Sequence, residues 1–317
     1  MCEVILAMVC FFALGPNCGC AQTQPAEPAG VELVGDPHFA LGLRVQDPKP
    51  GKIVYTGTLQ PPGVTQPPVW SLAQWNSRHS IAGAEPRTLP SGAVEWSNAA
   101  KTIRIGPPGS DDADLTLAVN TSAEYSRIRA RTDPWVHLLV QQRFTEQPAV
   151  SAVEALWVRV SVRLLRSQLN DVPGYNPRIH AAQFVLYLSV QNLNRASKGY
   201  GDFLYFGVPL YDNRFPNGTP RFTAPDQVGK FIFNPGSAEY LARTPHCGEW
   251  VSVDRDVLPL ILEGLRTAWD RSFLSDSKDL ADYRIAGMNM GWEVPGPFDV
   301  TMQVRDLSIR AATLPTP

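Results

Sequence analysis

Apolar and polar residues alternate along much of the chain with a period of two, which predicts strands that bury one face. Three central segments show it best. In residues 134–144 (PWVHLLVQQRF), Val136, Leu138, Val140 and Phe144 fall on one side. Trp135, His137, Gln141 and Arg143 fall on the other, interrupted only by Leu139. In residues 156–165 (LWVRVSVRLL), Leu156, Val158, Val160, Val162 and Leu164 point in, while Trp157, Arg159, Ser161 and Arg163 point out. In residues 180–192 (HAAQFVLYLSVQN), Phe184, Leu186, Leu188 and Val190 point in, and Gln183, Tyr187, Ser189 and Gln191 point out. Antiparallel sheets with one wet face read this way.

The same reading extends along the chain. Residues 39–45, 52–59, 94–97, 101–105, 114–119 and 230–234 are strand-like, with Gly- and Pro-rich turns between them. Residues 199–212 place Tyr205 and Tyr211 on one face and Leu204, Phe206, Val208 and Leu210 on the other. Residues 283–293 place Arg284, Ala286, Met288, Met290 and Trp292 on one face and Ile285, Gly287, Asn289, Gly291 and Glu293 on the other. The glycines beside Asn289 and Glu293 predict room for a ligand on that face. After a Val-Pro-Gly-Pro turn, Phe298, Val300, Met302 and Val304 face the core. The phase then flips at residues 305–307, which predicts a bulge. One helix is expected over residues 257–273, with Asp256 as N-cap, Pro259 in the first turn and a stripe of Val257, Ile261, Leu265, Ala268 and Trp269. The predicted fold is all-β, an antiparallel β-sandwich (jelly roll) with one packed helix.

Composition refines this picture. The chain has 317 residues with 24 Gly and 29 Pro, which suits many short strands, and a net charge of -2, which gives no footprint for a nucleic-acid partner. An apolar stretch at residues 4–14 followed by small residues reads as a signal peptide ending at Ala21, so residues 1–21 are a leader and 22–30 a tether. Residues 31–317 then form a single sandwich domain. The leader predicts a secreted, periplasmic or cell-surface protein, with a lipoprotein the weaker alternative. No run is long enough to be a transmembrane segment. Four of the five cysteines lie in the leader, so no internal disulfide is expected, and Cys247 reads as a small buried hydrophobe. The oligomeric state is not legible.

The outward positions carry Trp, Tyr, His, Gln and Arg where an ordinary wet face would carry Lys, Glu, Thr and Ser. Aromatic rings stack on the C–H faces of sugars, and planar polar groups pair with adjacent hydroxyls. A polysaccharide is therefore the expected partner. Trp135, Gln141, Trp157, Arg159, Gln183, Tyr205 and Asn289 are the expected binding residues on one concave sheet. Cleavage of that glycan competes with simple recognition, and a structural module without a sugar ligand is a third reading. Hydrolysis needs two facing carboxylates; Glu293 is the best single candidate, with Glu154 or Glu249 as its second. There is no GxSxG, HExxH, Cys-rich zinc pattern, P-loop or dinucleotide fingerprint.

With the three alternating strands, residues 248–254 (GEWVSVD) and the closing residues 302–309 (MQVRDLSI), the chain resembles the broad β-jelly-roll group of carbohydrate-active proteins. That group includes concanavalin-like glycanases and lyases and carbohydrate-binding modules. The resemblance implies glycan recognition or cleavage with no required cofactor. It also implies a structural calcium site at Asp306, the acidic residue of the last strand, although no full ligand set accompanies it. Arg143, Gln183, His137 or His180, and Tyr187 are similar to the Arg, Gln, His and Tyr set of jelly-roll alginate lyases, which neutralises a uronate and removes its α-proton. His137, Arg143, Tyr187 and Glu293 are accordingly the catalytic candidates.

Overall fold

The computed structural model describes residues 30–107, 113–226 and 229–313. The expected leader and residues 22–29 of the tether lie outside the described residues. The chain begins with β1 (Val31–Glu32), β2 (Leu43–Gln46), β3 (Tyr55–Leu59), β4 (Trp70–Ala73) and β5 (Arg87–Thr88). Then come β6 (Val94–Ser97), β7 (Lys101–Ile105), β8 (Leu115–Val119) and the one-turn α1 (Thr121–Glu124). The long central strands are β9 (Val136–Arg143), β10 (Val153–Leu169), β11 (Gln183–Asn192) and β12 (Phe203–Asp212). After them lie β13 (Phe222–Pro225), β14 (Phe231–Asn234), β15 (Trp250–Asp256) and α2 (Leu258–Asp270). The chain closes with β16 (Tyr283–Val294) and β17 (Phe298–Thr313).

These strands make a two-layer sandwich of jelly-roll type. The back sheet runs β15-β10-β17-β8-β7-β6-β5, with β1 added to β17; the front sheet runs β13-β14-β12-β11-β16-β9-β4-β2-β3. Pairing is antiparallel except for β2 with β4 and β12 with β14, so the front sheet is mixed near both of its edges. The inward residues read from the alternation of β9, β10 and β11 are all buried between the layers. Trp292 locks the layers together: fully buried on β16, it donates from Nε1 to the Leu117 carbonyl of β8 at 2.9 Å. That bond satisfies a donor which would otherwise be costly in an apolar core.

The helix forms where expected. Val257, Ile261, Leu265 and Ala268 are fully buried, and Trp269 packs near Tyr283 with ring centroids 6.2 Å apart. Asp256 does not occupy the formal cap, which is Val257. Its Oδ1 nonetheless accepts from the Leu258 amide at 3.0 Å and the Leu156 amide at 2.9 Å, so it ties the helix start to β10.

Three bulges bear on the phase of the strands, one expected and two that correct the reading. In β17 the expected bulge is present: Asp306 has φ +59°, and the pairing with β10 gains a residue between Arg305 and Ser308. In β16 an extra residue at Ala286 separates the pairs Gly287–Ser189 and Ile285–Val190. Ile285 therefore joins Met288, Met290 and Trp292 in the core, and exposed Arg284 leaves the face assigned to it. In β12 an extra residue at Leu210 turns Tyr211 inward, edge-on to Trp292 at 6.0 Å, and puts Asp212 on the outer face. A period of two cannot register one inserted residue until the partner strand is known.

Candidate functional site

The outer face of the front sheet is built from rows of side chains that run across the strands. Antiparallel and parallel partners project to the same side, and neighbouring strands lie about 4.8 Å apart. One row is Arg44 (β2), Ser71 (β4), Gln141 (β9), Asn289 (β16) and Tyr187 (β11), ending at Gly207 of β12. Beside it runs a buried row of Ala73, Leu139, Gly291, Val185 and Pro209, an apolar floor without a polar side chain. Beyond that floor lies the row His137, Glu293, Gln183 and Asp212. On the other side of the polar row stand Arg143, Gly287, Ser189, Tyr205 and Ile232.

Two open cavities lie over these rows. One, of about 660 Å³, is bordered by Trp75, Trp135, His137, Tyr187 and Glu293. The other, of about 370 Å³, is bordered by Arg44, Tyr55, Gln141, Arg143 and Gln191. Asn289 and Tyr205 belong to both linings, so the two form one cleft across the sheet.

The larger half has an aromatic wall. His137 stacks on Trp135 with centroids 5.6 Å apart and meets the edge of Trp75 at the same distance. Arg129 lies 5.5 Å from the Trp135 ring and donates to the carbonyls of Pro295, Asp133 and Ile179, which holds the wall in place. The His137 Nδ1–H donates to the Trp135 carbonyl at 3.0 Å, and Nε2 stands 3.8 Å from Glu293 Oε2. A carbonyl only accepts, so Nδ1 carries the hydrogen and Nε2 is left to face the carboxylate. A proton on either Nε2 or the carboxyl makes that approach attractive.

Burial pushes the Tyr187 phenol up, and the nearby Glu293 carboxylate adds to the shift, so its hydroxyl stays protonated. Tyr125 anchors the end of this half. Its hydroxyl donates to the Val294 carbonyl at 2.6 Å and accepts from the Val136 amide at 3.0 Å, joining the ends of β16 and β9. Burial raises its pKa to about 12.

The wall that carries Trp75 and Asn76 is fixed from behind. Lys101 on β7 reaches up from the back sheet and donates to the Ser77 hydroxyl and the His79 carbonyl. It also lies 3.4 Å from Glu124, and both side chains of this pair are fully buried. Glu124 accepts in turn from Ser77 Oγ at 2.6 Å and from the Arg78 amide at 2.7 Å. Burial lowers the Lys101 pKa, and Glu124 opposes the shift.

Of the residues expected on one face, Trp135, His137, Gln141, Arg143, Gln183, Tyr187, Tyr205, Asn289 and Glu293 do come together here. Trp157 and Arg159 do not: both lie on β10, in the back sheet, and face the opposite side of the molecule. Their alternation is genuine, but alternation does not say to which layer a strand belongs. His180 is buried beneath the surface, accepting at Nδ1 from the Asn176 amide and donating from Nε2 to the Arg129 carbonyl. Asp306 is also on the back sheet, where Oδ2 accepts from Ser161 at 2.9 Å and pairs with Arg305. Among the described residues no group of three or more His, Cys, Asp or Glu is placed to hold a metal ion. Cys247 is exposed rather than buried, its Sγ 3.0 Å from the Leu165 carbonyl.

The glycines of β16 have a different reason from the one expected. A Cβ on Gly291 (φ +153°) would stand 2.2 Å from the Leu138 carbonyl oxygen, so glycine is needed for β9 to approach, not to admit a ligand. The alternation analysis missed Arg44, Tyr55, Ser71 and Trp75. Arg44 and Ser71 sit on four-residue strands too short to establish a period.

No protein-family model matches the chain, and no curated protein matches it. Among solved structures it is similar to endoglucanase Cel12A from Rhodothermus marinus, at 11% identity over 73% of this chain and 97% of that one, with a TM-score of 0.40. It is similar also to endoglucanase 3 of family GH12 from Trichoderma harzianum, at 10% identity over 74% of this chain and 96% of that one, TM-score 0.39. A family 11 xylanase from Neocallimastix patriciarum follows at 8% identity over 74% and 98%, TM-score 0.33.

Proposed function

We propose that the cleft of the front sheet binds a polysaccharide, laid across the strands. The observation that carries this reading is the row Arg44, Ser71, Gln141, Asn289 and Tyr187, five polar side chains at successive strand spacings. Such a row offers one polar group per strand, close to the advance of one sugar along an extended chain. Trp75 and Trp135, which border the larger half, and Tyr55 and Phe203, which border the smaller, supply faces for C–H stacking.

Hydrolysis by a carboxylate pair is less well supported. The position facing Glu293 on the neighbouring strand is Gln183, an amide that cannot ionise. One strand further, Asp212 is buried and held by Arg214 at 2.6 Å and by the Gln183 amide at 2.8 Å. The 3.8 Å approach of His137 to Glu293 favours a second reading, in which Glu293 works as a single acid with His137 as its partner.

Titration against a panel of soluble polysaccharides, with the products sized by chromatography, tests both. The expected result is saturable binding with no shortening of the chain. Shortening that falls about 10²-fold in Glu293→Gln, with binding retained, establishes the second reading instead. A wild-type protein that binds no member of the panel removes both.

A further inference from the structure

We propose that the half of the cleft around Arg44 and Arg143 is selective for an acidic polysaccharide, one whose sugars carry carboxylate or sulfate groups. The inference rests on the glycan reading above and names the class of glycan.

The charge pattern along the cleft supports it. Glu293, Asp133, Asp226 and His137 all border the larger half, together with Arg131. The smaller half contains no Asp, Glu or His among its lining residues; its charged groups are Arg44 and Arg143 alone. A neutral sugar presents hydroxyls that donate as well as accept, so an acceptor-only carboxylate is a natural partner for it. Here the lining offers two guanidinium groups, the amides of Gln141, Gln191 and Asn289, and hydroxyls.

Both arginines are free to serve a ligand. Arg143 is exposed, and among the described residues its side chain has neither a hydrogen-bond nor an ion-pair partner. Arg44 lies 4.5 Å above the Tyr55 ring, and the Tyr55 hydroxyl is 2.9 Å from Ser71 Oγ. Contact with the ring face restrains the exposed Arg44 guanidinium, and no carboxylate among the described residues occupies its N–H groups, which suit two-point pairing with a carboxylate. Their strands, β2 and β9, are separated only by β4, about 10 Å in all. A chain crossing the sheet would pass both within two or three sugars. Ile53 and Val69, 56% and 42% exposed, form an apolar rim beside them for the C–H face of the same sugars. The net charge of -2 makes this attraction local to the cleft, not a general affinity for polyanions.

The test is isothermal titration of the full chain with polygalacturonate, a sulfated galactan, and an uncharged β-glucan and galactan as neutral counterparts, at low and raised salt. Binding of a charged glycan should exceed its neutral counterpart about tenfold or more and weaken as salt is added. Arg143→Gln and Arg44→Gln should each weaken the charged glycan about tenfold and the neutral glucan by a clearly smaller factor, so that the preference shrinks in both variants. Arg143→Lys should restore part of it. Preference for the uronate over the sulfated chain identifies carboxylate as the source of charge, and the reverse identifies sulfate. Equal, salt-insensitive binding of charged and neutral glycans overturns the charge selectivity while the glycan reading stands. Failure of every glycan overturns both. Unchanged circular dichroism of the variants separates lost contacts from lost fold.

Discussion

The outer faces of the two sheets carry the same kinds of residue and treat them in opposite ways. On the back sheet Arg159 pairs with Asp254 at 3.1 Å, Arg163 donates to Gln303 at 2.7 Å, and Ser161 bonds to both Ser252 and Asp306. Trp250 is covered by Arg163 and Arg305, at 4.7 and 4.2 Å from its ring. These polar groups are answered by neighbours on the same face. On the front sheet Gln141, Asn289, Gln191 and Arg143 line open space, and no side chain among the described residues answers them. The composition of a face does not mark it for binding. What marks it is polar capacity left unmet and given room, because unmet groups gain from a ligand what matched groups would have to give up.

That contrast is open to attack at three levels. The largest effect concerns the end of the front sheet, where Tyr125 must stay protonated to bridge β9 and β16. Its folded pKa, near 12, lies above the ordinary tyrosine value of 10. Its contribution is therefore complete below about pH 10 and lost as pH rises toward 12, a decline of roughly 2–3 kcal/mol. Denaturant melts across this window should show that fall, and Tyr125→Phe should be less stable at pH 8 yet decline less steeply. A variant with an undiminished slope would remove Tyr125 as the cause. Next in size, Asn289→Ala in the shared middle of the cleft should weaken glycan binding about tenfold, while Trp157→Ala on the back sheet leaves it unchanged. Equal losses in titrations of the two variants would erase the distinction between the faces. The smallest effect is Arg159→Ala, which breaks a partly exposed ion pair and should cost under about 1 kcal/mol in thermal unfolding, less at high salt, with no effect on binding.

Much of the sandwich was legible because alternation records burial directly. The inward residues of β9, β10 and β11, the bulge at Asp306 and the stripe of α2 all follow from periodicity. Layer membership did not. Trp157 and Tyr187 occupy equivalent outward positions in the sequence, yet β10 pairs with β15 and β17 while β11 pairs with β12 and β16. Strand pairing between distant segments decides this, and a local pattern holds no record of it. The site was half legible for the same reason. Gln141, Asn289 and Glu293 stood out on long strands, whereas Arg44 and Trp75 become cleft residues only once β2 and β4 are docked beside β9.

The buried pair Lys101–Glu124 bears on how the cleft moves. The segment behind Trp75 would pass for a surface loop, but its amides are spoken for: Arg78 donates to Glu124, and Ile81 donates to the fully buried Gln74. Opening this wall takes Ser77, Arg78 and His79 away from the buried Lys101–Glu124 pair and leaves both charges short of hydrogen bonds, a cost of several kcal/mol. Its amide hydrogens should thus exchange with solvent on the timescale of the whole fold, not of a loop. One bank of the cleft is then a rigid template, and in the proposed complex with a flexible polysaccharide the ordering entropy of association would fall mainly on the ligand.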